Sequence, residues 1–180
     1  MRGAALLVLL VPATALSGVV RPAPPGLDNV WHREWVTLLD RSLRQLTGSC
    51  LLPRVPPGAG ECSALASNAD LIVVSHGTEA PHPVFNYATR AALELWETEW
   101  DAFVSMESRA SAEADEQAER ERLLASVREQ GYAQDYMGVR ISSTGKRFRI
   151  RDALVWNVRG VDGARVGQAA MFRRADVEFL

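Results

Sequence analysis

Apolar residues fall into distinct registers along the chain. Leu71-Ile72-Val73-Val74 is an unbroken run, rich in β-branched residues and short enough for a buried strand. Ser75-His76-Gly77-Thr78 interrupts it, and Pro81 and Pro83 mark a turn. Val84-Phe85-Asn86-Tyr87 predicts a second short strand, with Asn86 or Thr89 as the cap of a helix after it. Ala92, Leu93 and Trp96 then recur at helical spacing, and Trp100 and Phe103 continue that face after a break. Upstream, Trp31, Trp35, Leu38, Leu39, Leu43 and Leu46 predict one amphipathic helix over residues 28–47, opened by Asp28 or Asn29 and stopped by Gly48. It would either lie over the exposed side of a sheet or pair two copies of the chain, with Trp31, Trp35 and Leu39 as the candidate dimer face. Residues 49–60 read as a Pro/Gly-rich loop, and 61–68 as one or two helical turns.

Downstream, residues 111–130 predict a further helix. Glu116 with Arg120 and Glu119 with Arg122 line its solvated side, Leu123, Leu124 and Val127 its apolar side, and Gly131 ends it. From Tyr132 the period becomes two. Met137, Val139 and Ile141 lead into the turn Ser142-Ser143-Thr144-Gly145, and Phe148, Ile150, Leu154, Trp156 and Val158 return from it. The alternation predicts a long hairpin with one apolar and one polar face, Asp152 marking a bulge. Asp162-Gly163 turns the chain into a last strand, 166–172. The pattern is that of an α+β domain, an antiparallel sheet with helices on one face.

Length and composition agree with a single domain: 180 residues, 47% hydrophobic and 23% charged, give enough chain for a proper core. The net charge of -2 offers no basic patch for direct nucleic-acid binding. Cys50 and Cys62 flank the Pro/Gly-rich loop and read as ordinary thiols, with a bridge open in an oxidising compartment. Met1-Arg2-Gly3 and the apolar run to Val11 are too short for a stable membrane span, which needs ~20 residues. Residues 1–26 therefore read as a leader that ends in a stiff Pro-rich linker, with the domain proper at 27–180; the leader is secretory or organellar, or else the sequence starts upstream of the true initiator.

Little here carries catalytic chemistry. Ser75 and His76 are adjacent on an extended segment, so their side chains point apart and share no proton. No nucleophile elbow and no glycine-rich phosphate loop occurs, and His32, His76, His82, Cys50 and Cys62 lack metal-ligand spacing.

The stretches SHGT, PVFNYA, AALELW, GVRISSTGKRF, VWNV and GQAA resemble the MEKHLA domain family over roughly residues 28–172. That family is PAS-related; it occurs at the C-terminus of class III homeodomain–leucine zipper transcription factors of plants, and as small stand-alone proteins in bacteria and algae. The resemblance implies a PAS-like five-stranded antiparallel sheet with short helices inserted between the second and third strands, plus the N-terminal helix. It also implies a non-catalytic sensory or protein-interaction module that regulates a partner or its own dimerisation, inside a cell or plastid. A small enzyme using the same pocket and a secreted ligand-binding protein are the alternatives. A ligand pocket between sheet and helices would be built from His76, Asn86, Tyr87, Trp96, Phe148 and Trp156. No cofactor is specified beyond room for an unknown small ligand. Ala88–Trp96 lacks the cysteine that PAS relatives use to bind flavin covalently, so no covalent flavin is expected.

Overall fold

The computed structural model describes residues 21–112, 123, 125–127 and 129–180. Residues 1–20, where a leader is expected, and the two charge pairs expected at 116–122 lie outside the described residues. Helix α1 (Arg33–Thr47) and α2 (Ala59–Ala66) precede strands β1 (Leu71–His76) and β2 (Phe85–Ala88). Short helices α3 (Arg90–Leu95) and α4 (Trp100–Phe103) come next, then β3 (Tyr132–Ile141), β4 (Arg147–Arg159), β5 (Arg165–Arg173) and β6 (Val177–Phe179). The sheet is antiparallel in the order β2-β1-β5-β4-β3. Its helices enter between the second and third strands, as the resemblance implies. The expectation of five strands needs one addition: after a 3-10 turn at Arg174–Asp176 the chain resumes as β6 and pairs Phe148–Ile150 of β4.

Two helical expectations are corrected. Residues 111 and 112 are not helical: Ser111 closes a 3-10 turn and Ala112 bridges to Arg140, while residues 123, 125–127, 129 and 130 are helical. Gly131, at φ 85°, ends that stretch in the left-handed conformation glycine takes without steric cost. The second correction concerns α1, which starts at Arg33 and not near Asp28. Val30 (φ 48°), Trp31 (φ 56°) and His32 (φ 55°) are left-handed in succession. For L-residues that conformation costs roughly 1–2 kcal/mol each.

A local network holds them there. Asn29 Oδ1 accepts from the Gly26 and His32 amides, and its Nδ2 donates to Pro24 O. Trp31 N donates to Gly26 O at 2.7 Å, and His32 Nε2 lies 2.7 Å from Ala23 O. Trp100 of α4 donates its indole N–H to Pro22 O at 2.7 Å. The His32 ring packs on Tyr87 and Trp100.

The bulge at Asp152 (φ 52°) shapes the sheet more than the sequence suggests. A three-residue step on β4, from Ile150 to Ala153, spans the two-residue step from Gly138 to Tyr136 on β3. The extra residue swaps the faces. Phe148 and Ile150 lie on the side of α3 and α4, whereas Leu154, Trp156 and Val158 lie on the other side, under α1. The hairpin therefore has no uniformly polar face: the second half of β4 is buried on both sides, Val155 against Val127 and Trp156 under α1. A second bulge at Asp135 (φ 53°), unmarked in the sequence pattern, keeps β3 in step.

Helix α1 packs across that outer face within its own chain. Val36, Leu39 and Leu43 are fully buried. Trp156 Nε1 donates to Leu39 O, and Ser42 Oγ accepts from the Arg159 amide. Trp35 lies over Gly167 of β5, where an added Cβ would come within 3.2 Å of the indole and 2.5 Å of His76 O. Buried Asp40 gathers the loop after α1, accepting from the Leu51 and Leu52 amides and pairing with Arg44 at 2.6 Å. Both cysteines are free thiols, Cys50 exposed and Cys62 buried in α2, where burial pushes the thiol's pKa up.

Candidate functional site

Directly paired strand residues share a face, so register assigns each expected pocket residue to one side of the sheet. His76, Trp96 and Phe148 belong to the side covered by α3, α4 and the helical stretch ending at residue 130. Tyr87 and Trp156 belong to the α1 side, Tyr87 through its pairing with Ser75 and Trp156 through its bond to Leu39. Asn86, displaced by a register shift between Ser75 and His76, turns to the α1 side as well: its Oδ1 accepts from Ser75 Oγ, which in turn accepts from Trp35 Nε1. The six residues are thus brought together in two groups of three, not in one pocket. Phe148 and Trp156 share an even spacing in sequence and would share a face on an unbroken strand; the Asp152 bulge separates them.

The helix-covered side is built on aromatic packing. Phe85 stacks on Phe103 with centroids 4.3 Å apart, and Trp96 meets Phe103, Phe148 and Phe172 edge-on. Trp96 Nε1 is buried there without a hydrogen-bond partner. Trp96 is fixed by the corner next to it. Glu97 (φ 51°) sends its carboxylate to Ser142, Thr144 and Lys146 on the β3–β4 turn, and Ser143 N donates to Trp96 O at 2.9 Å. These bonds hold the Glu97 carboxyl at about 2, led by the one from Lys146.

Beside the aromatic cluster runs a row of polar side chains that no local sequence pattern groups. His76 pairs with Gln168, and Gln168 with Asn157, across three adjacent strands. The His76 Nδ1 sits 2.8 Å from Gly77 O, which can only accept, so Nδ1 carries the proton and Nε2 offers a lone pair. Burial lowers the His76 pKa, which keeps the ring neutral at pH 7, and the Gln168 side chain is its second partner. Asn157 donates from Nδ2 to Val127 O, but its Oδ1 is buried without a partner. The signal in sequence was the GQAA stretch set against VWNV; only the register between those strands joins them. Buried polar atoms are nearly always satisfied, so two orphans on one side of the sheet, a donor on Trp96 and an acceptor on Asn157, stand out.

The expected dimer residues sit mostly inside their own chain. Leu39 is fully buried, Trp35 is half-buried over the sheet, and Trp31 is half-buried in the left-handed turn. Ser75 and His76 point to opposite sides of the sheet and share no proton. Among the described residues no group of three His, Cys, Asp or Glu side chains could hold a metal ion, and no helix is long and apolar enough to cross a membrane.

Comparison with solved structures finds the same fold at low identity. A PAS domain of a protein from Colwellia psychrerythraea superposes with a TM-score of 0.52 at 12% identity, over 67% of this chain and 94% of that one. A light-oxygen-voltage domain studied with a flavin analogue gives 0.50 at 11%, over 67% and 87%. An RNA-binding light-oxygen-voltage receptor gives 0.52 at 17%, over 62% of this chain but 31% of the receptor. A search of curated proteins finds no match. The sequence itself matches the MEKHLA domain over residues 33–177, from the start of α1 to the first residue of β6. A match from α1 through the first five strands, on a PAS-type fold, makes the chain a member of the MEKHLA domain family.

Proposed function

We propose that this domain is a non-catalytic sensory module that holds a small ligand between the sheet and the short helices, and passes its occupancy to a partner protein or a second copy. The observation that carries the reading is the pair of orphaned polar atoms on the helix-covered side, Trp96 Nε1 and Asn157 Oδ1. Next to them, neutral His76 and Gln168 offer further polar groups. An apolar aromatic wall with a few oriented polar atoms is the make-up of a small-molecule site. The ligand class that suits it is a flat, largely apolar molecule with one acceptor for the indole N–H and one donor for the Asn157 carbonyl. Its arrival would favour one packing of α3 and α4 on the sheet, and only a difference in affinity between packings transmits a signal.

Native mass spectrometry of the full chain, with an absorption spectrum of the same sample, tests this. The expected result is a mass above that of the polypeptide, lost in Asn157→Leu. A protein that leaves several expression hosts at the mass of its chain, and is stabilised by Asn157→Leu, would overturn it. In that case the orphaned carbonyl is a defect of the core and not a ligand contact.

A further inference from the structure

We propose that residues 22–32 form a two-state strap: docked, with Val30–His32 left-handed, or released, with Val30–His32 wound right-handed as a first turn of α1 capped by Asn29. Two local tendencies conflict at this junction. Trp31, Trp35 and Leu38 keep helical spacing through it, and Asn29 is a favoured cap, yet Val30, Trp31 and His32 are all left-handed. A β-branched residue such as Val30 is the least suited to that conformation. The α1 helix pays for the arrangement at its own start, where His32 provides no side-chain cap. His32, as the residue before α1, already offers its carbonyl to the Val36 amide. Winding residues 30–32 would add the Val30 and Trp31 carbonyls as acceptors for the Glu34 and Trp35 amides, in exchange for the present bond from Arg33 N to Val30 O.

Against release stand the contacts of the docked strap: both sides of the Asn29 amide, Trp31 N to Gly26 O, His32 to Ala23 O, and Trp100 to Pro22 O. Opposed sets of local and docking interactions define a bistable element. Its anchor gives it a route to the rest of the domain. Trp100 opens α4, and Phe103 of the same short helix stacks on Phe85 and meets Trp96. A shift of α4 on the sheet therefore moves the strap's anchor, and release of the strap frees α4. The two states exist independently of whether a ligand binds beside Trp96.

Opposite substitutions at Val30 test this in the full chain, followed by proton–nitrogen NMR. Proline cannot adopt φ 48° but suits the first position of a helix capped by Asn29, so Val30→Pro favours release. Glycine accepts the left-handed conformation without cost, so Val30→Gly favours docking. The reporter is the Trp100 indole N–H, bonded to Pro22 O when docked; the Trp156 indole, bonded to Leu39 O, shows that the domain is folded. Exchange of the Trp100 indole should slow roughly tenfold in Val30→Gly. In Val30→Pro it should lose its protection while residues 31–34 gain helical shifts and the Trp156 signal stays in place. A folded Val30→Pro whose Trp100 indole stays protected overturns the proposal. So does one whose strap is released but not helical, and so does a Val30→Gly that exchanges as fast as the wild type.

Discussion

Thr89 shows how a residue can take one role in sequence and another in the fold. It stands at the cap position of α3, as its place before the helix suggests, but its hydroxyl makes no cap bond. It donates to Leu71 O and accepts from Val73 N, tying the end of β2 to β1 inside the core. Valine has the same shape without the hydroxyl. Thr89→Val would leave the Val73 amide buried and unpaired, at a cost of about 1–3 kcal/mol. Urea unfolding should show this as a lower midpoint with an unchanged slope; an unchanged midpoint would mean that water reaches the amide. His76 and Asn86 were legible as polar groups near the turn, but their partners were not. Asn86 bonds to Ser75 because a register shift turns it to the α1 side, and no local pattern encodes that shift.

At the scale of elements, most of the sheet was legible because alternation is a strong signal for strands half-buried on one side. The Asp152 bulge was legible too, from a carboxylate in an apolar row. Its consequence was not: one inserted residue exchanges the faces of β4, and the even-numbered residues of its two halves then face different helices. The start of α1 was misplaced for a similar reason. The contacts that hold Val30–His32 left-handed include Trp100, far along the chain, and periodicity reports only on neighbours. The corner at Glu97 offers a test of how an element is held. Its carboxyl titrates at about 2 instead of the usual 4.5, so the clamp's contribution is complete above pH 4.5 and is lost as pH falls from there towards 2. The difference in urea midpoint between wild type and Glu97→Gln should therefore be constant from pH 7 to about 5 and shrink below that. Glu97 is partly exposed, so added salt should shrink the difference as well. A gap that stays the same down to pH 2 would show that the charge does not hold the corner.

At the scale of the molecule, α1 and the sheet share one core, since Val36, Leu39 and Leu43 are buried in the same cluster as Trp156 and Val158. Leu39→Ala should cost about 2–5 kcal/mol, as other deletions of buried leucines do. The loss should appear as one transition, with the same midpoint by far-ultraviolet circular dichroism and by tryptophan fluorescence. Separate midpoints would mark α1 as an independent unit laid on a sheet that folds without it. The clamp on the β3–β4 turn has a further consequence for anyone handling the protein. Lys146 is the single lysine of the chain, and its ammonium is the partner of Glu97. Any amine-reactive dye, cross-linker or biotinylating reagent that modifies a side chain will therefore cap that ammonium and remove the charge from the corner beside Trp96. Labelling through cysteine at exposed Cys50 leaves that corner untouched.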